Sequence, residues 1–319
     1  MPRIGDCTIN SHQPINANPS RPLLGIALKV ASICLFVVMM IAIKLLQDDV
    51  PIGEIIFARS LLGMLAVAAI YKLRGQFEGR FAIKSVRAHS LWALSAATAM
   101  AMWFVCITLI PLPEATAIGF AMPLLVVAMA FFILGEKVRI VRWVAILTGL
   151  AGVCIIVWPR LGVGASYGSA SAIGAALALG AAVFWALAQT LLRRLTRTET
   201  SGSAVLSFSI ATMILSLCSI PLGWTVPSAG QWGLILLCGV AGGFGQLCVA
   251  ESLRFAEASA LAPFEYLAFP VASLAAIAFF GEYPDTNVWL GLPLVIAGGL
   301  LVIFREHQLS KRASAGNHA

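Results

Sequence analysis

Charge is scarce in this chain. Asp, Glu, Lys and Arg make up 11 % of its 319 residues, and 60 % are hydrophobic. A water-soluble domain of this length needs a polar exterior, so the scarcity excludes one. Paired cysteines are also missing. The seven thiols (Cys7, Cys34, Cys106, Cys154, Cys218, Cys238, Cys248) are odd in number and form no Cys-x-x-Cys, so neither a disulfide framework nor a zinc site is indicated. The four histidines (His12, His89, His307, His318) are scattered over ends and links, which leaves no ligand spacing for a metal. There is no phosphate-binding Gly-rich loop, no Gly-x-Ser-x-Gly and no His-Glu-x-x-His. An ATP-driven pump or a membrane hydrolase would have nothing to work with. No enzyme activity and no cofactor are expected.

What is present is a series of long, continuously apolar runs. A barrel strand would be short and alternating, whereas about 20 apolar residues cross a bilayer as a helix. The runs predict an all-α membrane protein with ten spans, at 23–46, 53–71, 89–110, 115–134, 141–158, 171–192, 203–222, 231–252, 258–280 and 287–304. Residues 1–22 are polar and are expected to be a disordered N-terminus without signal-peptide features. Residues 306–319 form a polar tail.

The net charge of +7 would suggest nucleic acid in a soluble chain, but its distribution suggests topology instead. Lys72, Arg74, Arg80, Lys84 and Arg87 follow the second span. Lys137, Arg139 and Arg142 follow the fourth, and Arg193, Arg194 and Arg197 the sixth. Arg305, Lys311 and Arg312 lie in the tail. The alternate links hold Asp48, Asp49, Glu282 and Asp285, with Arg160 the only clear cation. Lys/Arg-rich links stay cytoplasmic, so both termini are expected inside.

The chain also echoes itself. Pro113 to Glu136 (PEATAIGFAMPLLVVAMAFFILGE) and Ala258 to Glu282 (ASALAPFEYLAFPVASLAAIAFFGE) each open near a Glu-Ala pair (Glu114-Ala115, Glu257-Ala258). Each holds an internal proline (Pro123, Pro270) and ends on Gly-Glu. The two Gly-Glu pairs lie nearly half the chain apart. Five spans per half is odd, so the repeats, 23–160 and 170–305, would insert with opposite orientation. Inverted repeats recur in secondary transporters, with the substrate held near the midplane between the halves.

These segments, with Pro51-Ile52-Gly53-Glu54-Ile55-Ile56-Phe57-Ala58-Arg59 entering the second span, resemble the drug/metabolite transporter superfamily, specifically its EamA-type members. The resemblance covers roughly 23–305. It implies ten spans as two inverted five-helix repeats and translocation by alternating access without ATP. The fifth and tenth spans would be scaffold, the others cavity walls. GIALKVASICLFVVM, VPIGEIIFARS, LPLPEATAIGFAMPLLVV and LAPFEYLAFP look most like a proteobacterial subgroup. That subgroup includes RibN-type riboflavin importers and S-adenosylmethionine carriers.

Charge inside a membrane costs at least a few kcal/mol and usually faces a cavity or a partner. Arg59 lies about 9 Å into the second span. Its fork of donors suits an anionic or carbonyl-rich substrate group, and a structural ion pair is the alternative. Glu265 lies about 12 Å into the ninth span, where it would line the cavity or hydrogen-bond a neighbouring helix. Lys29 reads as snorkelling and Lys44 as an interfacial anchor beside Asp48 and Asp49. Trp103, Phe104, Trp185, Phe264 and Tyr266 sit deep enough to stack a flat ligand or to pack as core. Gln246, in the Gly-rich eighth span, adds an amide. The expected partners are a small-molecule substrate and the lipid bilayer, with a homodimer left open and nucleic acid excluded. Riboflavin import is the first candidate activity. S-adenosylmethionine transport and efflux of an amino-acid-derived metabolite are its alternatives. A non-transporting receptor or assembly protein is the alternative of another class.

Overall fold

The structure, a computed structural model, describes residues 22–73, 85–135, 140–161, 169–195, 201–256 and 258–316. The polar N-terminus and most of the Lys/Arg-rich links lie outside them. The helices are α1 (Pro22–Leu46), α2 (Ile52–Leu73), α3 (Val86–Leu109), α4 (Leu112–Gly119), α5 (Ala121–Leu134) and α6 (Ile140–Val157). They continue with α7 (Ser169–Leu195), α8 (Ser201–Leu217), α9 (Ala229–Phe255), α10 (Ala258–Leu261), α11 (Ala268–Phe280) and α12 (Thr286–Gly316). Among the described residues there is no strand.

Eight stretches among these residues are long and apolar enough to cross a membrane. The other two expected spans are helical as well, α2 over 22 residues and α8 over 17.

The two echoing segments are broken helices. In the first, α4 stops at Gly119 and α5 restarts at Ala121. Pro123 is the third residue of α5. A proline ring excludes the carbonyl four residues back, here that of Gly119, which puts the break where it is. In the second, α10 gives way to a 3-10 turn over Ala262–Leu267 before α11. Pro270 is again third in its helix, and the carbonyl it excludes is that of Tyr266. Both second pieces end on a glycine with positive φ, 68° at Gly135 and 66° at Gly281. A side chain there would be strained, so the repeated Gly-Glu is a helix stop used twice.

The halves interlock. α1 packs on α9 and α11, while α7 packs on α3 and α5. α2 meets α8 and α9, and α8 also meets α3. α6 pairs with α12, and α4 with α11. Exchanging each first-half span for its second-half counterpart preserves this pattern, as a duplicated chain would. The α6–α12 pair is the closest approach of backbones. A Cβ at Gly298 would lie 2.6 Å from the carbonyl oxygen of Ala145 and 2.9 Å from the amide nitrogen of Gly149. Lipid supplies no hydrophobic drive between helices, so dispersion at such backbone contacts holds the pair together.

The C-terminal end of α1 shares one side of the bundle, here called distal, with the N-terminal ends of α2, α4, α7 and α12. The opposite side is proximal. The main buried cluster (Ile43, Leu46, Ile55, Phe104, Ile107, Leu112, Ile118, Ile235 and others) lies in the distal half and middle, and it joins both halves. Proximally the described residues form two separate clusters. One is Trp92, Ala93, Ala96 and Ala188 on α3 and α7, and the other is Leu124, Val127, Ala145, Ile146 and Val302 on α5, α6 and α12. Neither reaches the α1–α9 pair.

Candidate functional site

The two helix breaks meet at mid-depth. Phe120, at the first break, and Tyr266, in the 3-10 turn of the second, set their rings edge to face with centroids 5.0 Å apart. The Trp103 ring of α3 lies 3.1 Å from where a Gly119 Cβ would be. All three rings are partly exposed. The Tyr266 hydroxyl is buried against Gly299 and has no hydrogen-bond partner among the described residues. Phe264 is partly exposed on the same 3-10 turn.

Glu265 shares that turn. It accepts a hydrogen bond from Lys29 of α1 at 2.9 Å, and its side chain stays 45 % exposed while that of Lys29 is 13 % exposed. Lys29 therefore does not snorkel, because a carboxylate stands within reach on the neighbouring segment.

Arg59 lies distal to these groups on α2. Its Nε donates to Met39 Sδ at 3.3 Å and its Nη1 to Met100 Sδ at 2.8 Å. The guanidinium sits over the buried ring of Phe104, 5.6 Å from the centroid. Gly242 of α9 faces it, and a Cβ there would come 3.0 Å from Nε. Among the described residues no carboxylate pairs with Arg59.

The structure thus brings Arg59 onto Phe104, and Glu265 and Tyr266 together with Phe120. Trp103, next to Phe104 in sequence, abuts the first break. Trp185 on α7 is partly buried against the main cluster. Gln246 is exposed one turn proximal of Gly242, without a hydrogen bond among the described residues. Sequence reasoning missed Phe120, Met39 and Met100, while Gly242 belongs to the Gly-rich run of the eighth span. For Phe120 the signal was available, since it precedes Pro123 by three residues and so falls at the break.

The distal side is laced by ion pairs. Lys44 is buried and bonds Glu282, where an interfacial anchor was expected. The nearby Asp48 and Asp49 lose to a carboxylate presented by the Gly281 stop. Glu282 also accepts the Leu112 amide at 3.2 Å. Reciprocally, Glu114 accepts the Asp285 amide at 3.3 Å. Each carboxylate of one half therefore sits at a helix N-terminus of the other, where the helix dipole favours a negative charge. Arg160 reaches Glu114 at 3.1 Å, Asp285 at 3.2 Å and Ser171 at 2.8 Å. Glu54 accepts the Thr225 amide at 3.1 Å.

Comparison with known proteins agrees with this architecture. The model of the EamA-like transporter family matches residues 23–158 and again 172–304. An S-adenosylmethionine uptake transporter of Rickettsia prowazekii is 26 % identical over 76 % of this chain and 79 % of its own length. A riboflavin transporter of Rhizobium johnstonii is 25 % identical over 74 % and 78 %. A pseudopaline exporter of Pseudomonas aeruginosa is 28 % identical over 90 % and 96 %. A solved structure titled only as a crystal structure of a protein shares the fold, with a TM-score of 0.62 at 21 % identity, covering 88 % of this chain and 94 % of that one. Two matches to one family model, one in each half of an all-helical chain whose spans exchange partners, make this chain a multi-pass membrane protein of the EamA-like transporter family.

Proposed function

We propose that the chain is a secondary carrier of ten spans in two inverted repeats. It sits in a bacterial inner membrane with both termini cytoplasmic and moves a small, ring-bearing organic metabolite by alternating access. The observation that carries this reading is the junction of the two helix breaks. Partly exposed rings of Trp103, Phe120 and Tyr266 meet at mid-depth, where the broken span of each half faces the other. Lys/Arg-rich links would make the proximal side cytoplasmic. Broken helices facing a central cavity are a recurrent way to hold a substrate at the midplane. Rocking of the halves would have to open the reciprocal Glu282–Leu112 and Glu114–Asp285 contacts on the distal side.

Riboflavin and S-adenosylmethionine each carry a flat heterocycle that such rings would stack, and relatives are named for both. The test uses purified protein in proteoliposomes with labelled riboflavin and labelled S-adenosylmethionine, and growth of a riboflavin auxotroph lacking its own importer. Protein-dependent flux of either compound supports the carrier reading. Correctly inserted protein that moves neither, nor any amino-acid-derived metabolite of a wider panel, would return it to the receptor alternative.

Orientation is tested separately. In a cysteine-free background, Ser166→Cys should react with an impermeant thiol reagent from outside the cell and Ser201→Cys should not. Equal labelling at both positions overturns the topology. Ser166 lies outside the described residues, so this test is independent of the geometry above.

A further inference from the structure

We infer that Arg59 is a specificity-determining residue of this site and takes a carboxylate of the substrate, which makes the substrate class a ring-bearing carboxylic acid rather than a neutral flavin. The inference rests on the carrier reading for its setting and on the guanidinium's partners for its content.

Three cations with described partners inside the bundle serve as the comparison. Lys29 has Glu265, Lys44 has Glu282, and Arg160 has Glu114 and Asp285. Arg59, deeper in the bundle than the distal groups, has two thioethers and an aromatic ring. Thioether sulfur is a weak acceptor, and a guanidinium carries five N–H donors. The carboxylate nearest in sequence, Glu54, is engaged by the Thr225 amide. What surrounds Arg59 therefore holds the guanidinium in place without neutralising it.

The cradle leaves part of the fork unbonded. No hydrogen bond within the described residues uses Nη2, and Gly242 approaches it so closely that a Cβ there would stand 3.2 Å from that nitrogen. A planar fork with an unbonded donor matches a carboxylate, which accepts two parallel N–H bonds. A flavin carbonyl would engage the same donors without supplying the missing charge.

The discriminating pair of probes is S-adenosylmethionine and decarboxylated S-adenosylmethionine, which differ only in the carboxylate. Equilibrium binding is measured to the full chain in lipid nanodiscs, with riboflavin, L-methionine and L-histidine alongside. The wild-type protein should bind S-adenosylmethionine about 10- to 100-fold more tightly than its decarboxylated form, the range expected for a charge-assisted hydrogen-bonded contact. Arg59→Gln should bring that ratio close to one. Arg59→Lys should leave it intermediate, because lysine keeps the charge and lacks the fork. The ligand-side comparison needs no variant, so misfolding of Arg59→Gln does not block the test.

Equal binding of the two sulfonium probes to the wild type overturns the inference. So does riboflavin binding more tightly than either, or the absence of Arg59-dependent binding across all the carboxylates. Riboflavin flux with no carboxylate discrimination removes this inference and leaves the carrier reading standing. Carboxylate-dependent binding with no flux of any probe does the reverse.

Discussion

Gly298→Val is expected to abolish recovery of folded protein. The new side chain would start 2.6 Å from the Ala145 carbonyl and within 3.0 Å of the Gly149 backbone. These are main-chain atoms of a helix, so no rotamer change can relieve the overlap, and α6 and α12 must separate. Overpacking in a close-packed interior typically costs about 1–3 kcal/mol where neighbours can shift, and here they cannot. The loss should be at the upper end of that range or beyond it. Gly243→Ala is the matched control, since nothing lies within 4 Å of its would-be Cβ. Helix propensity favours that alanine by up to about 1 kcal/mol. Fluorescence-detected size exclusion of detergent extracts reads both outcomes. A monodisperse Gly298→Val protein with wild-type thermal stability would refute the backbone-contact account of this pair.

Arg160→Ala should be almost as damaging, for an electrostatic reason. Arg160 and Glu114 have side chains 4 % and 1 % exposed, so removing the cation leaves a buried carboxylate without its charge partner. Breaking a buried pair in this way costs about 3–5 kcal/mol. The double substitution Arg160→Met with Glu114→Gln removes both buried charges and should recover much of the loss, because the carboxylate that remains, Asp285, is 33 % exposed and stays solvated. Thermal unfolding in nanodiscs measures the two steps, and uptake in proteoliposomes reports whether the distal side still closes. If Arg160→Ala unfolds and transports like the wild type, these contacts do not hold the distal side together.

The features legible in the sequence were the local ones. The repeated Gly-Glu was visible because a left-handed helix stop selects glycine at one position. The breaks were marked by Pro123 and Pro270, whose rings act only four residues back. Apolar length read as ten spans, and eight stretches among the described residues are long and apolar enough to cross a membrane. The pairings were not legible. Lys29 and Glu265 are 236 residues apart, and Lys44 and Glu282 are 238 apart, so nothing in either neighbourhood names the other. Lys44 read as an anchor because Asp48 and Asp49 were the only acids near it in sequence. The thioether cradle around Arg59 was hidden for a different reason. Met39, Met100 and Gly242 are ordinary apolar-helix residues, and only the crossing of α1, α2, α3 and α9 gives them a shared task.

The exchange of α1 into the second half has a bearing on biosynthesis. Ribosomes add about 5–20 residues per second. The 238 residues separating Lys44 from Glu282 therefore take roughly 10–50 s to emerge. For most of that interval α1 lacks α9 to pack on, and for all of it Lys44 lacks Glu282. The first hairpin of the nascent chain consequently waits at the translocon or in lipid with an unmatched cation. Its final register is set only after the ninth span is delivered.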